Sequence, residues 1–336
     1  MIGIIANPQS GKVIRRVVAQ GATMANHDKI NTLRRILQGI AALGSCAVGF
    51  MPDRADLVER ALDGVTLNLD VAPLDLLITG MADDTTTAAR MFAQQGATCI
   101  VVLGGDGTCR VAAKGAGSVP LLPISTGTNN AFPQTVEGTL AGLAAACVAR
   151  GLVAEAITQQ PCLRILREGE SVDLALVDVV IYDGGTGARA VWLVDRVRQL
   201  ISTRSMPGTI GLSAIAGYAG LIAPARDVAL ALSVSEGEHS GSPLQNRERT
   251  VLAPIAPGLV QPIGIGDHRW LAHGDMLRVA PVPCVLALDG ERELEVRRGM
   301  LIDVQFDRHG PLVVNVQQAL RLGVARGLFT TDARRD

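Results

Sequence analysis

The chain has 336 residues, with 31 lysines and arginines against 32 aspartates and glutamates, and its formal net charge of −1 gives no electrostatic reason to expect a nucleic-acid partner. Hydrophobic residues make up 48% but aromatics only 3%, so the core must be built from Ala, Val, Leu and Ile, a mix that suits close packing of small-residue helices. No stretch has the unbroken apolar length of a membrane span, the six cysteines form no CxxC pair and the five histidines show no HxH or HExxH spacing, so no disulfide framework and no protein-built metal site are expected.

At about 150 residues per domain, the length suggests two domains. The opening, MIGIIANPQSGK, has an apolar run too short for a signal peptide and no basic segment before it. It reads as a buried first strand, Ile2 to Ala6, ending at Asn7-Pro8, and with the cysteine pattern it predicts a cytoplasmic protein. Thr32 to Leu43 has the three- and four-residue apolar spacing of a helix. Leu74 to Thr79 is a further apolar run before Gly80, and Asp83 or Asp84 is the expected N-cap of a helix running through Gln95. Thr98 to Leu103 is a strand, a helix follows that Gly115 closes, and Pro120 to Ile124 is the next strand. Such alternation predicts a parallel sheet with helices on its faces. Near Gly151 the character changes. Leu163 to Leu166, Val172 to Tyr182, Val228 to Ser235, Val251 to Ile255, Met276 to Val279, Val285 to Leu288 and Leu301 to Phe306 all read as strands. Ala190 to Ser202 is read as helical, the polar stretch Glu236 to Arg249 as an exposed loop, and Gln317 to Leu328 as a closing helix that returns to the first domain. The predicted domains are therefore 1–150, an α/β phosphate-binding domain, 151–310, a β-rich substrate domain, and 311–336, the returning segment.

The strongest local signal is ATCIVVLGGDGTCRVAAKG, residues 97–115. A strand delivers the chain to Gly104, Gly105, Asp106, Gly107 and Thr108, and a helix begins at once. Glycines let phosphate oxygens approach the backbone, and the free N–H groups and dipole of a helix start favour an anion. A carboxylate facing phosphate would repel it, so Asp106 must address a metal ion, a ribose hydroxyl or an acceptor hydroxyl, or else cap the helix. Two glycines flanking it exceed what a capped turn needs. A second loop, residues 125–130 (Ser125, Thr126, Gly127, Thr128, Asn129, Asn130), sets hydroxyls and amides at the carboxyl end of the next strand, where open α/β sheets bind ligands; hydroxyl and Asx turns would explain the same composition. Gly11-Lys12 is followed by Val13 and position 6 is Ala, so there is no GxxxxGK[ST] loop, and GxGxxG is missing from the first turn, which disfavours a P-loop ATPase and an ordinary dinucleotide-binding dehydrogenase.

GGDGT after a strand resembles the signature shared by NAD kinases and by diacylglycerol and sphingosine kinases. Ala175 to Ile181, ALVDVVI, is similar to the ALNEVVI-like strand of NAD kinases, Pro207 to Gly217, PGTIGLSAIAG, to their GSTAYSLSAGG-like segment, and Leu288 to Glu291, LDGE, to their VDGQ-like strand end. GIIANPQSGK, STGTNNAFP, GTIGLSAIAG and LALDGERELE together resemble the AcoX proteins encoded with acetoin-catabolism genes, which are NAD-kinase-like. The resemblance implies a fold of the NAD kinase/diacylglycerol kinase type, with a parallel α/β N-terminal domain, a β-rich C-terminal domain and the active site between them. It implies an ATP-dependent kinase acting on a hydroxyl of a nucleotide or other small acceptor, with Mg²⁺ held mainly by the phosphates, and a homo-oligomer, dimer or tetramer.

By the same resemblance Gly104, Gly105, Gly107 and Thr108 bind phosphate, with Asn7, Thr126, Gly127, Thr128, Asn129 and Asn130 beside them. Asp106 is the catalytic carboxylate, and Asp178 and Thr209 lie near the substrate. Asp289 and Glu291 stand where lipid kinases carry a DGE segment near the chemistry; a two-residue Asp-Gly hairpin turn is the plainer account. Two departures matter. Val177 stands in place of an Asn that holds a nucleotide base, and the tyrosine of GSTAY is missing, so NAD phosphorylation is expected to be weak. A non-catalytic nucleotide sensor of the acetoin pathway and a lipid kinase are the alternative readings; the second needs an apolar groove or basic interfacial patch, which the sequence lacks.

Overall fold

The structure, a computed structural model, describes residues 1–11, 24–44, 46–127, 130–183, 194–222, 227–235, 249–280, 283–290 and 292–330. Three of the predicted site residues, Thr128, Asn129 and Glu291, lie outside these, as does nearly all of the predicted polar loop at 236–249. Among the described residues there are three sheets, two of seven strands and one of four.

The first sheet contains β1 (Ile2–Ala6), β2 (Ala47–Phe50), β3 (Asp70–Pro73), β4 (Cys99–Gly104), β5 (Leu121–Ser125) and β6 (Ile157–Gln159), joined late by β18 (Leu312–Val314). Its order is β3-β2-β1-β4-β5-β18-β6, parallel except for the last pair. Strands β1 and β4 are buried at every residue, as a parallel sheet covered on both faces requires. One face is covered by α1 (Asn26–Ala42), α2 (Leu57–Leu62), α5 (Gly138–Ala149) and α7 (Val316–Ala325), the other by α3 (Ala82–Gln94) and α4 (Asp106–Ala116). The low aromatic content has a geometric use here. A Cβ on Gly142 of α5 would lie 2.1 Å from the Ile36 carbonyl of α1, so the two helix backbones meet only because that atom is missing.

The order reverses between β1 and β4: the chain moves outward from β1 to β2 and β3, then returns to the other side of β1. The carboxyl ends of β1 and β4 are therefore neighbours, with Asn7 N–H bonded to the Leu103 carbonyl at 3.1 Å. Such a switch point leaves a crevice at the carboxyl edge of the sheet, where ligands bind in this architecture.

The remaining strands form a sandwich. One antiparallel sheet has the order β12-β13-β11-β10-β9-β15-β16, with β9 (Asp178–Asp183), β10 (Val197–Ser202), β11 (Ala229–Ser235), β12 (Arg249–Ala256), β13 (Leu259–Leu271), β15 (Cys284–Leu288) and β16 (Arg292–Val296). The other has the order β14-β17-β7-β8, with β7 (Cys162–Arg167), β8 (Glu170–Ala175), β14 (Met276–Arg278) and β17 (Ile302–Asp307). Val179 and Ile181 of β9 face the interior between the sheets, whereas Val180 and Tyr182 pack on the opposite face beneath α6 (Ala214–Tyr218), the two-residue alternation of a strand buried on both sides.

Several local expectations change. Val172 to Tyr182 is two strands in different sheets, because the chain turns a corner at Leu176-Val177. The described part of Ala190 to Ser202 is a 3-10 turn, Val194–Arg196, and then β10; Val194, Val197, Leu200 and Ile201 mimic helical spacing because β10 lies in mid-sheet between β9 and β11. The third strand lies at Asp70–Pro73, just ahead of the apolar run Leu74 to Thr79, whose Leu77 is exposed. The cap of α3 is Met81 rather than an aspartate; Asp84 instead reaches back to the N–H groups of Thr79 and Gly80. Helix α4 continues past Gly115, whose Cβ would lie 2.1 Å from the Thr86 carbonyl of α3, and turns out at Gly117 with φ 56°.

Candidate active site

Three loops meet at the switch point. From the first, the Asn7 side-chain amide donates to Thr108 Oγ1 at 2.9 Å while its Oδ1 accepts from the Gln9 N–H. Beneath it Lys29, fully buried on α1, donates to the carbonyls of Asn7, Pro8 and Ser10 at 3.0, 3.1 and 2.7 Å. The third loop leaves β5. There the Thr126 N–H donates to the Gly104 carbonyl, and the Ser125 hydroxyl donates to the Gly127 carbonyl and accepts from the Asn130 side chain. The Thr126 hydroxyl itself is buried and has no hydrogen-bond partner among the described residues.

The central loop carries GGDGT. A Cβ on Gly104 would lie 2.5 Å from Cβ of Thr108, so this glycine is demanded by the threonine folded over it. Gly105 is the extended N-cap of α4, and no side chain caps that helix. Its first-turn N–H groups remain a place for an anion, helped by the helix dipole. Asp106 is not a cap of its own helix. Its carboxylate accepts from the N–H groups of Ala131 at 3.1 and 3.0 Å and Phe132 at 2.7 Å, binding the central loop to the third one.

The β-rich half closes over this edge. Arg204, after β10, donates to the Ala131 carbonyl at 2.9 Å and lies over the Phe132 ring. Arg110, one turn into α4, pairs with Asp173 of β8 at 2.8 Å and stands 3.9 Å from Asp289; Arg110 and Asp289 are buried and Asp173 is half-buried. The Asp289 carboxylate accepts from the N–H groups of Leu176, Val177 and Asp178, the corner between β8 and β9. Asp289 and Gly290, which follow β15, both have positive φ, and Leu288 pairs with Arg292. Burial, then the nearby Asp178 and Asp106, push the Asp289 carboxyl up to about 8 against the pull of its backbone donors.

Between the halves lies a cleft that encloses about 30 Å³. Asp106, Asp178 and Asp289 line it, together with Val177 and the segment Ile210–Ser213. Thr209 stops one residue short of the cleft, its hydroxyl turned to the Met206 carbonyl. The structure thus brings Asp106, Asp178 and Asp289 together, and groups Asn7, Gly104, Gly105, Thr108, Thr126, Gly127 and Asn130 at the adjoining sheet edge. Sequence reasoning missed Lys29, Arg110, Asp173 and Arg204. Lys29 had a legible signal: it falls on the apolar helical face with Leu33, Ile36 and Ile40, where a lysine needs a buried partner.

Residues 2–153 match the model of the ATP-NAD kinase N-terminal domain, and residues 161–309 that of the acetoin catabolism protein X C-terminal domain. The chain is 36% identical over 338 residues to acetoin catabolism protein X of Cupriavidus necator, with 96% of this chain and 91% of the relative covered. Among solved structures, a Bacillus anthracis protein assigned as a diacylglycerol kinase matches at a TM-score of 0.47 and 13% identity, covering 93% of this chain and 96% of that one. Yeast NADH kinase complexed with NADH matches at a TM-score of 0.47 and 14% identity, covering 100% and 89%.

Proposed function

The chain belongs to the acetoin catabolism protein X family, and from that premise we propose that it is an ATP-dependent kinase that phosphorylates a hydroxyl of a small acceptor. One observation carries the reading: Asp106, on the uncapped start of α4, shares a cleft with Asp178 of the β-rich half. Phosphoryl transfer needs positioning and charge neutralisation more than covalent chemistry, and this arrangement offers an anion site next to a pair of carboxylates.

The residues at the sheet edge fit a phosphate chain. The first-turn N–H groups of α4 have no side-chain cap, and the Thr126 hydroxyl has no partner among the described residues. ATP brings the γ-phosphoryl group, and its Mg²⁺, held by phosphate oxygens, neutralises charge. The N–H groups from Gly105 to Thr108 hold the phosphates, while Asn7 and Lys29 keep that loop in register. Asp106 orients the acceptor hydroxyl, with Asp178 opposite. Asp289, tied to three backbone amides, supports the corner that carries Asp178 rather than touching the substrate.

The sensor reading has its own support, because Asp106 already accepts two backbone amides and so has an organising role without any reaction. Asp106→Asn separates the two. With an acceptor in hand, the kinase reading expects turnover to fall by about 10²–10⁴-fold, with ATP affinity changed far less. Turnover close to normal in a stable Asp106→Asn protein would refute the catalytic role, and ATP binding without turnover by the native protein across a broad acceptor panel would favour the sensor.

A further inference from the structure

The kinase reading leaves the acceptor open, and the cleft wall constrains it. Beside the carboxylates the lining is mainly aliphatic, with Val177, Val180, Ile210, Leu212, Ile255 and Ala287, and Ser213 adds one hydroxyl. Among the described residues that line the cleft there is no lysine, arginine or histidine. Among the described residues, two arginines beside the site are engaged elsewhere, Arg110 by Asp173 and Arg204 by the Ala131 carbonyl. The space beside the carboxylates, in a cleft partly open to solvent, is about 30 Å³, which favours a small group there over a bulky one.

Resting on the kinase reading, we propose that the acceptor is a short, uncharged aliphatic alcohol, and that the cleft rejects acceptors carrying a carboxylate or phosphate. A phosphate or carboxylate on the acceptor would meet Asp106 and Asp178 with no cationic side chain among the described lining residues to offset them, and like-charge juxtaposition is a strong means of exclusion. A methyl or methylene next to the hydroxyl finds the aliphatic wall instead. In the transfer step the acceptor oxygen bonds to the γ-phosphorus as the bond from that phosphorus to the β,γ-bridging oxygen breaks. The electron pair leaves with ADP, the hydroxyl proton passes to a cleft carboxylate, and the products are ADP and an alkyl phosphate monoester.

The test compares acceptors of one skeleton that differ in charge. The intact protein is first titrated with ATP and Mg²⁺ by calorimetry. ADP release and the mass of the phosphorylated product are then followed with 1,2-propanediol against lactate, and with glycerol against glycerol 3-phosphate and NAD. The neutral member of each pair should be phosphorylated with a kcat/KM at least about 10²-fold higher, and Ile255→Ala, which thins the apolar wall, should shift the preference towards 1,2-hexanediol. Phosphorylation of lactate, glycerol 3-phosphate or NAD as well as the neutral alcohols would overturn the acceptor class and leave the kinase reading intact. ATP binding with no transfer to any member of the panel would overturn the acceptor class and favour the sensor over the kinase. A protein that binds no ATP would remove the kinase reading and this inference with it.

Discussion

At the scale of single residues, the carboxylates divide by what already holds them. Asp106 and Asp289 each bind the backbone of a segment distant in sequence, and the motif positions that identify them say nothing of those partners. Their placement at strand ends was legible because glycines marked the turns. Their hydrogen bonds were not, since they depend on how the third loop and the β8–β9 corner fold back. Asp289 yields a pH prediction. An unfolded aspartate titrates near about 3.9, whereas burial holds this one up to about 8, so the folded chain keeps a proton that the unfolded chain has lost. The group's contribution to stability is full below about pH 4 and is lost as the pH rises through 8. Denaturant unfolding between pH 5 and pH 9 should show the native protein losing stability relative to Asp289→Asn as the pH rises. A difference that stays constant across that range would mean that the carboxyl is ionised throughout.

At the scale of elements, the buried parallel strands and the helices on them were the most legible. Continuous apolar runs such as Cys99–Leu103 and a three- and four-residue spacing in α1 each admit one structure in a covered sheet. The errors have a shared cause. β10 reads as helix in sequence because burial of Leu200 and Ile201 on opposite faces erases the alternation of a strand, and β8 and β9 read as one strand because nothing in ALVDVVI marks the corner held by Asp289. The glycines of α4 and α5 look like helix breakers in sequence and are contact points in space. Gly142→Ala should therefore destabilise the chain by about 1–3 kcal/mol through overpacking, against the slight gain that alanine brings to an ordinary helix interior. Equilibrium unfolding decides the sign: a variant as stable as the native protein would show that α1 and α5 separate without strain.

At the scale of the whole molecule, the cleft exists because the two halves are fastened around it. Arg110 ties α4 to Asp173 of β8, Arg204 ties the β-rich half to the third loop, and Asp289 steadies the corner bearing Asp178. The terminal helix α7 packs against α5, and β18 pairs with β5 and β6, so the end of the chain rejoins the first sheet. Among the described residues no helix is long and apolar enough to cross a membrane. The account stands on a phosphate chain bound at the start of α4, and the most direct test is calorimetric titration of the intact protein with ATP in the presence of Mg²⁺, repeated on Asp106→Asn. One saturable site of similar affinity in both proteins is the predicted result, because backbone groups hold the phosphates while the carboxylate serves the acceptor. The absence of saturable binding to the native protein would contradict the account.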